Sequence, residues 1–292
     1  AYFGMKFGIP VVTSMRRSTF KGIPITDYGR EFLGLLPHMV GDHIVSNYSV
    51  AHENIFVKRL CAKKGHSVIA NGVLLQRLGN SQEREKKPLS RNKSNLRLVF
   101  VGRFAKQKRL SLLLKAMARF VGEENRSVKL SVFGKGTARQ EEKLRSFVSN
   151  CDLSHHVCLE GYDPQWRKRS HEFDYFVLPS VSEGMPNVVV EALAEGLPVV
   201  CARIPEVIEI VQNGVNGYYF EPDDELSLFE VIQKLWLEKC EWQRLSINAQ
   251  ESVKKYSVSR MVDSYQKLYL NVMHRSKVRN NRLHMPVSTS NE

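Results

Sequence analysis

The stretch Pro179-Ser180-Val181-Ser182-Glu183-Gly184-Met185-Pro186-Asn187-Val188-Val189-Val190-Glu191-Ala192-Leu193 places two carboxylates eight positions apart across a turn-to-helix junction. The run 173–178 before it is largely apolar and reads as a short buried strand. Gly184 and Pro186 interrupt that run, and the mostly apolar 187–195 segment reads as a helix. Glu183 then lies in the loop at the strand's carboxyl end, with Glu191 about one turn inside the helix. A helix start offers unpaired backbone N–H groups and the positive end of its dipole, which suit a phosphate or a sugar hydroxyl. Glu191 is placed to accept two hydrogen bonds from a ribose diol, and Glu183 to face a sugar across the diphosphate. Two solvated glutamates flanking a core helix would show the same spacing, so the spacing alone is not specific.

Outward from this segment the chain alternates strands and helices. Residues 96–101 read as an apolar strand, followed by Gly102-Arg103-Phe104-Ala105-Lys106-Gln107-Lys108. A helix over 110–120 comes next, with Leu112, Leu113, Ala116, Met117 and Phe120 on one face. Strand 128–133 leads into Gly134-Lys135-Gly136, and strand 157–160 into Gly161-Tyr162. The alternation over 96–220 predicts a doubly wound parallel sheet, whose ligands bind beyond the strands' carboxyl ends. The loops 102–108, 134–136, 161–162 and 180–187 all fall at that end.

These phrases, in this order, resemble glycosyltransferase family four, the group 1 retaining GT-B enzymes. The 179–200 segment matches "P-S-x-x-E-G-x-P-x-x-x-x-E-A-x-A-x-G-x-P-V-V", and Val101 to Lys108 is similar to "V-G-R-x-x-x-x-K-G". The family often has glycine after that lysine, where this chain has Arg109. The resemblance implies an α/β GT-B fold of two Rossmann-like domains, the N-terminal one incomplete and the C-terminal, donor-binding one complete. It implies that Arg103 and Lys108 clamp the donor diphosphate and that Glu183 orients the sugar. It assigns the donor side to Gly102, Gly134, Gly161, Tyr162, Gly184, Met185, Pro186, Asn187, Val188 and Glu191. Fixed cations at 103 and 108 would favour the transition state, because the leaving diphosphate gains negative charge as the glycosidic bond breaks.

The first 75 residues are less legible. Strands are predicted at 9–13, 42–46 and 67–69. Ala1 to Val12 looks like the later helix and strand of a first Rossmann-like domain whose opening units have no counterpart here. Many family members carry a histidine after this strand, where Thr13-Ser14-Met15-Arg16-Arg17 stands instead. Arg16 and Ser46 are the acceptor-side candidates, with an ordinary structural role open for each. The domain reading is 1–75 for the N-terminal remnant, 76–255 for the nucleotide-sugar domain, 256–273 for a helix returning to the first domain, and 274–292 for a disordered basic tail.

The net charge of +13, from 43 Lys and Arg against 30 Asp and Glu, favours anionic partners. The basic residues cluster at 84–109 and 275–282 without aromatic interleaving, so nucleic acid is not expected. A nucleotide sugar, a glycan or lipid-linked acceptor, and an anionic membrane surface are. Five cysteines lack paired metal-type spacing, with Cys158 and Cys201 read as core residues, and they fit a reducing cytoplasm. No apolar run approaches the ~18 residues of a bilayer span, so a cytoplasmic protein with peripheral contact to the inner membrane face is the expectation. No cofactor and no metal are expected, since the chain has no Asp-x-Asp. A uridine donor is preferred over guanosine or adenosine.

The resulting functional reading is retaining transfer of a sugar from a nucleotide diphosphate to a glycan or lipid-linked acceptor in cell-surface polysaccharide or lipopolysaccharide synthesis. Two alternatives stay open: a non-catalytic nucleotide-sugar-binding module or inactive remnant, and an epimerase of the same fold that needs no acceptor.

Overall fold

The computed structural model describes residues 9–15, 38–39, 41–49, 55–75, 95–124 and 127–283. The chain divides into two compact units, residues 73–257 and, flanking them in sequence, 1–72 with 258–292.

The 73–257 unit is a doubly wound α/β domain. Its strands are β4 (Asn95–Val101), β5 (Ser127–Phe133), β6 (Val157–Gly161), β7 (Tyr175–Leu178), β8 (Val199–Ala202) and β9 (Gly217–Phe220). They form one parallel sheet in the order β6-β5-β4-β7-β8-β9. The chain winds outward one way from β4 and then returns to wind the other way from β7, so the order reverses between them. In such sheets that reversal opens a crevice at the carboxyl ends, where ligands bind. The loops after β4 and β7 flank it.

Burial explains why these segments are strands. β7 and β8 are buried on both faces and accordingly read as unbroken apolar runs, Tyr175-Phe176-Val177-Leu178 and Val199-Val200-Cys201-Ala202. Helix α2 (Leu110–Glu124) buries Leu113, Leu114, Ala116, Met117 and Phe120. Leu112, expected on that face, is only half-buried, and Leu114 takes its place. Phe120 packs against Phe229 and Trp236 of helix α6 (Glu225–Leu237), with ring centroids 6.5 and 5.9 Å away. Asp174, 4% exposed, ties the two central strands: its carboxylate takes the Arg97 backbone N–H at 2.8 Å and Arg97 Nη2 at 2.7 Å, and its own N–H donates to Arg97 O. Cys201 is a core residue, but Cys158 is exposed, contrary to expectation, because β6 is an edge strand. Helices α3 (Ala138–Asn150), α4 (Asn187–Ala194), α5 (Pro205–Ile208) and α7 (Trp242–Ser252) complete the unit with α2 and α6.

The other unit contains β1 (Val12–Met15), β2 (His43–Ser46) and β3 (His66–Val68), parallel in that order, with helix α1 (Ile55–Lys64) between β2 and β3. β1 starts later than the predicted 9–13 because Pro10 has no N–H and the Val11 N–H is taken by the Asp42 carboxylate at 2.8 Å. Helix α8 (Val258–Leu283) belongs to this unit and packs Leu268 and Val272 with Val45 and Ile69. It runs through residue 283, so the segment expected to be disordered from 274 is helical up to that point. Lys, Arg and Leu are good helix formers and extend the turn beyond the last packed apolar position.

Candidate functional site

The sequence-predicted loops of the 73–257 unit meet in one cleft of about 610 Å³, lined by Gly102, Arg103, Lys108, Gly134, Tyr162, Glu183, Asn187, Val188 and Glu191 among others. Main-chain hydrogen bonds hold three of the loops in series: Gly102 N–H donates to Phe133 O (2.9 Å), Phe104 N–H to Lys135 O (3.1 Å), and Gly134 N–H to Gly161 O (2.7 Å). Gly134 is obligatory for this arrangement, since a Cβ there would sit 1.9 Å from the carbonyl oxygen of Gly102. The loop after β7 is tied in from the other side, by Val181 N–H donating to Gln107 O at 3.0 Å.

Lys108 ends a short 3₁₀ turn, Lys106–Lys108, and its Nζ donates to Glu183 Oε1 at 2.6 Å. Both side chains are nearly out of water, 11 and 10% exposed. Two residues 75 positions apart thus form one ion pair across the mouth of the crevice. Arg103 is exposed at the cleft and has no acidic partner among the described residues. Its guanidinium is therefore available to an anion.

Glu191 stands one turn into α4, which has no side-chain cap at Pro186 and whose first residues, Asn187 and Val188, line the cleft. Burial pushes the Glu191 carboxyl above its ordinary range. The Glu195 charge adds to that shift, while the Arg167 guanidinium and a hydrogen bond from Trp166 oppose it. Arg167 is itself fixed by Glu195, which is buried (5% exposed): Nε donates to Glu195 Oε1 at 2.8 Å, and Ser170 Oγ donates to Oε2 at 3.3 Å.

Not every predicted residue lines the cleft. Gly161, Gly184, Met185 and Pro186 do not; Gly161 serves through its carbonyl and a φ of +78°, and Pro186 is buried at the start of α4. Ser46, in the other unit, is fully buried. Its hydroxyl donates to Tyr48 O and lies 2.8 Å from His66 Nε2, so it holds the ends of β2 and β3 together rather than opening to an acceptor. Arg16 lies outside the described residues. Lys135, Asp163 and Trp166 line the cleft without having been singled out. Lys135 Nζ sits 4.9 Å from the centre of the largely exposed Tyr162 ring, a cation–π pair on the rim. The Gly-Lys-Gly phrase stands out in the sequence by its glycines, and nothing there ties Lys135 to Tyr162. Among the described residues no group of His, Cys, Asp and Glu is arranged to hold a metal ion, and no helix is long and apolar enough to cross a membrane.

The fold and this crevice define an α/β protein of the GT-B type, with parallel Rossmann-like sheets. Residues 81–252 match the model of the group 1 glycosyl transferases, and the chain belongs to that family. It is 28% identical over 148 residues to the amylovoran biosynthesis glycosyltransferase AmsK of Erwinia amylovora, covering 48% of this chain and 36% of that one. It is 27% identical over 229 residues to the UDP-Gal:alpha-D-GlcNAc-diphosphoundecaprenol alpha-1,3-galactosyltransferase of Escherichia coli, covering 74% of this chain and 58% of that one. The chain therefore spans between a third and three fifths of the length of these curated relatives. Among solved structures, Anabaena Alr3699/HepE in complex with UDP superposes with a TM-score of 0.73 over 92% of this chain and 74% of that one; at 17% identity this likeness concerns the fold alone.

Proposed function

We propose that this chain provides the donor-binding part of a retaining glycosyltransferase, which moves a sugar from a nucleotide diphosphate to a glycan or lipid-linked acceptor. The observation that carries the reading is the convergence of Arg103, Lys108, Glu183, the uncapped start of α4 and Glu191 on one crevice at the reversal of strand order. Arg103, Lys108 and the α4 N–H groups would neutralise the diphosphate, and Glu191 would accept from the ribose diol. Tyr162 and Lys135 would border the base. The names of relatives support the two substrate classes, since the Escherichia coli enzyme is named for a UDP-galactose donor and a diphosphoundecaprenol acceptor, and the Anabaena structure holds UDP. A uridine nucleotide is the donor we infer.

Retention is carried over from the family resemblance. In a front-face reaction the bond from the anomeric carbon to the diphosphate oxygen breaks and the acceptor oxygen bonds to the same face. The acceptor's proton passes to the departing phosphate. Glu183 would orient the sugar and stabilise its oxocarbenium-like charge, while the fixed cations hold the growing charge of the leaving group. The strongly basic balance of the chain suits an acceptor carrying phosphate and a place at an anionic membrane surface.

Calorimetric titration with UDP, GDP and ADP, alongside Glu191→Ala, tests the donor site. UDP-selective binding lost in the variant is the expected result, and absence of binding to all three refutes the site. Transfer is tested separately, by radiolabel from UDP-sugars into lipid-linked saccharides, with the anomeric configuration of the product read by NMR. An inverted product would remove the retaining assignment.

A further inference from the structure

Arg109 follows directly on Lys108 and closes the 3₁₀ turn in a conformation that side chains rarely adopt. Its φ and ψ are +48° and +34°, in the left-handed region, and its N–H donates to Lys106 O at 3.2 Å. A β-carbon is strained in this region and glycine is not. Something outside the turn must therefore hold Arg109 there. Its side chain supplies the connection: Nη2 donates to Asp223 Oδ2 at 2.7 Å, and Nε lies 2.6 Å from Oδ1, too bent for a linear hydrogen bond. Asp223 is itself left-handed, with φ +60°. It sits in the loop after β9, next to Asp224, whose side chain caps α6 by accepting from Ser227 N–H. Two strained residues 114 positions apart are thus clasped to each other, one in front of α2 and one in front of α6, the two helices that pack through Phe120.

We infer that Arg109 and Asp223 form a positioning clasp that keeps the Lys106–Lys108 turn in the shape that aims Lys108 into the cleft. The functional part of the inference rests on the proposed donor site. The structural part does not. The clasp fixes the turn at its end, and Val181 N–H to Gln107 O and Lys108 to Glu183 fix it to the loop after β7. Losing the clasp lets the turn relax from the left-handed geometry and carries Lys108 with it.

The test uses the whole chain and four variants, Arg109→Ala, Arg109→Gly, Asp223→Ala and the double variant Arg109→Gly with Asp223→Ala. Alanine at 109 keeps the strain and removes the clasp, whereas glycine removes the strain and with it the need for the clasp. Amide hydrogen exchange over 105–112 and at Val181, read by mass spectrometry, should quicken in Arg109→Ala and Asp223→Ala. It should return to the wild-type rate in Arg109→Gly and stay there in the double variant, with the β7 and β8 amides unchanged throughout. UDP affinity should follow the same order, falling about threefold in the first two variants, as expected for a partly exposed ion pair, and recovering in the two glycine variants.

Exchange as fast in Arg109→Gly as in Arg109→Ala, or an equal effect of Asp223→Ala in both backgrounds, overturns the clasp. Exchange following the predicted order in a chain that binds none of the nucleotides would uphold the clasp and refute the donor site instead, so the two failures are distinct.

Discussion

In the sequence Lys108 and Glu183 stand as two independent site residues, one for the phosphate and one for the sugar. In the folded chain they are partners, and the carboxylate stands where an anion on Lys108 would go. Glu183→Gln should therefore bind UDP at least as tightly as the wild type while losing transfer, because a neutral amide competes weakly for the ammonium. Lys108→Ala and Arg103→Ala should each weaken UDP at least tenfold, the effect of losing a charge-assisted hydrogen bond of about 1.5–3 kcal/mol. Calorimetry separates the two cases, and weaker UDP binding by Glu183→Gln would refute the competition.

Glu191 gives a pH signature of its own. Burial raises its carboxyl above the ordinary 4.5, so it takes up a proton on acidification earlier than an exposed glutamate would. Only the ionised form accepts from both ribose hydroxyls, so UDP affinity should fall as pH drops through the raised value. Stability has the opposite sign. Between the unfolded and the raised folded value the folded chain binds more protons, so stability declines as pH rises through that window. Glu191→Gln should accordingly melt at a higher temperature than the wild type at pH 7, with the gap closing near pH 4, and should bind UDP poorly at both. Scanning fluorimetry at the two pH values checks the sign.

At the scale of elements, the parallel strands were legible because alternation and unbroken apolar runs mark them, whereas their order in the sheet is given by the fold alone. What the sequence hid follows from contacts between distant segments. Cys158 is apolar enough to read as core, and only the place of β6 at the sheet edge exposes it. The Arg109 turn looked like a departure from a glycine position, and its remedy lies in Asp223, which no local pattern links to it. Lys135 and Tyr162 come together only because Gly102, Gly134 and Gly161 let three loops stack at main-chain distance. Gly134→Ala tests that stacking. A Cβ 1.9 Å from a backbone oxygen cannot be accommodated by a side-chain shift, so destabilisation of at least ~2 kcal/mol and loss of UDP binding are expected. Urea unfolding followed by titration measures both, and a stable variant with normal affinity would refute the close packing.

For the whole molecule, every side chain assigned to the donor lies in residues 73–257, and so does the large hydrophobic cluster running from Val73 to Val253. This fragment should fold cooperatively and bind UDP within about threefold of the full chain, a shift of under 1 kcal/mol, while transferring nothing. Circular dichroism with thermal melting and a UDP titration of the fragment would decide it. The other unit yielded least to sequence reading, since its short strands carry few residues of pattern and Arg16 lies outside the described residues. Its network of His43, His66, Ser46 and Ser67 is made of hydrogen bonds that no spacing rule predicts.

The ends of the 73–257 unit meet. Val73 pairs with Ser257 as an isolated bridge, and the Val73 N–H donates to Tyr256 O at 2.8 Å. The unit is entered and left at one point, like a bead hung from a single knot, although its ends lie 184 positions apart in sequence. Two cuts a few ångströms apart would lift the whole domain out of one chain and set it into another.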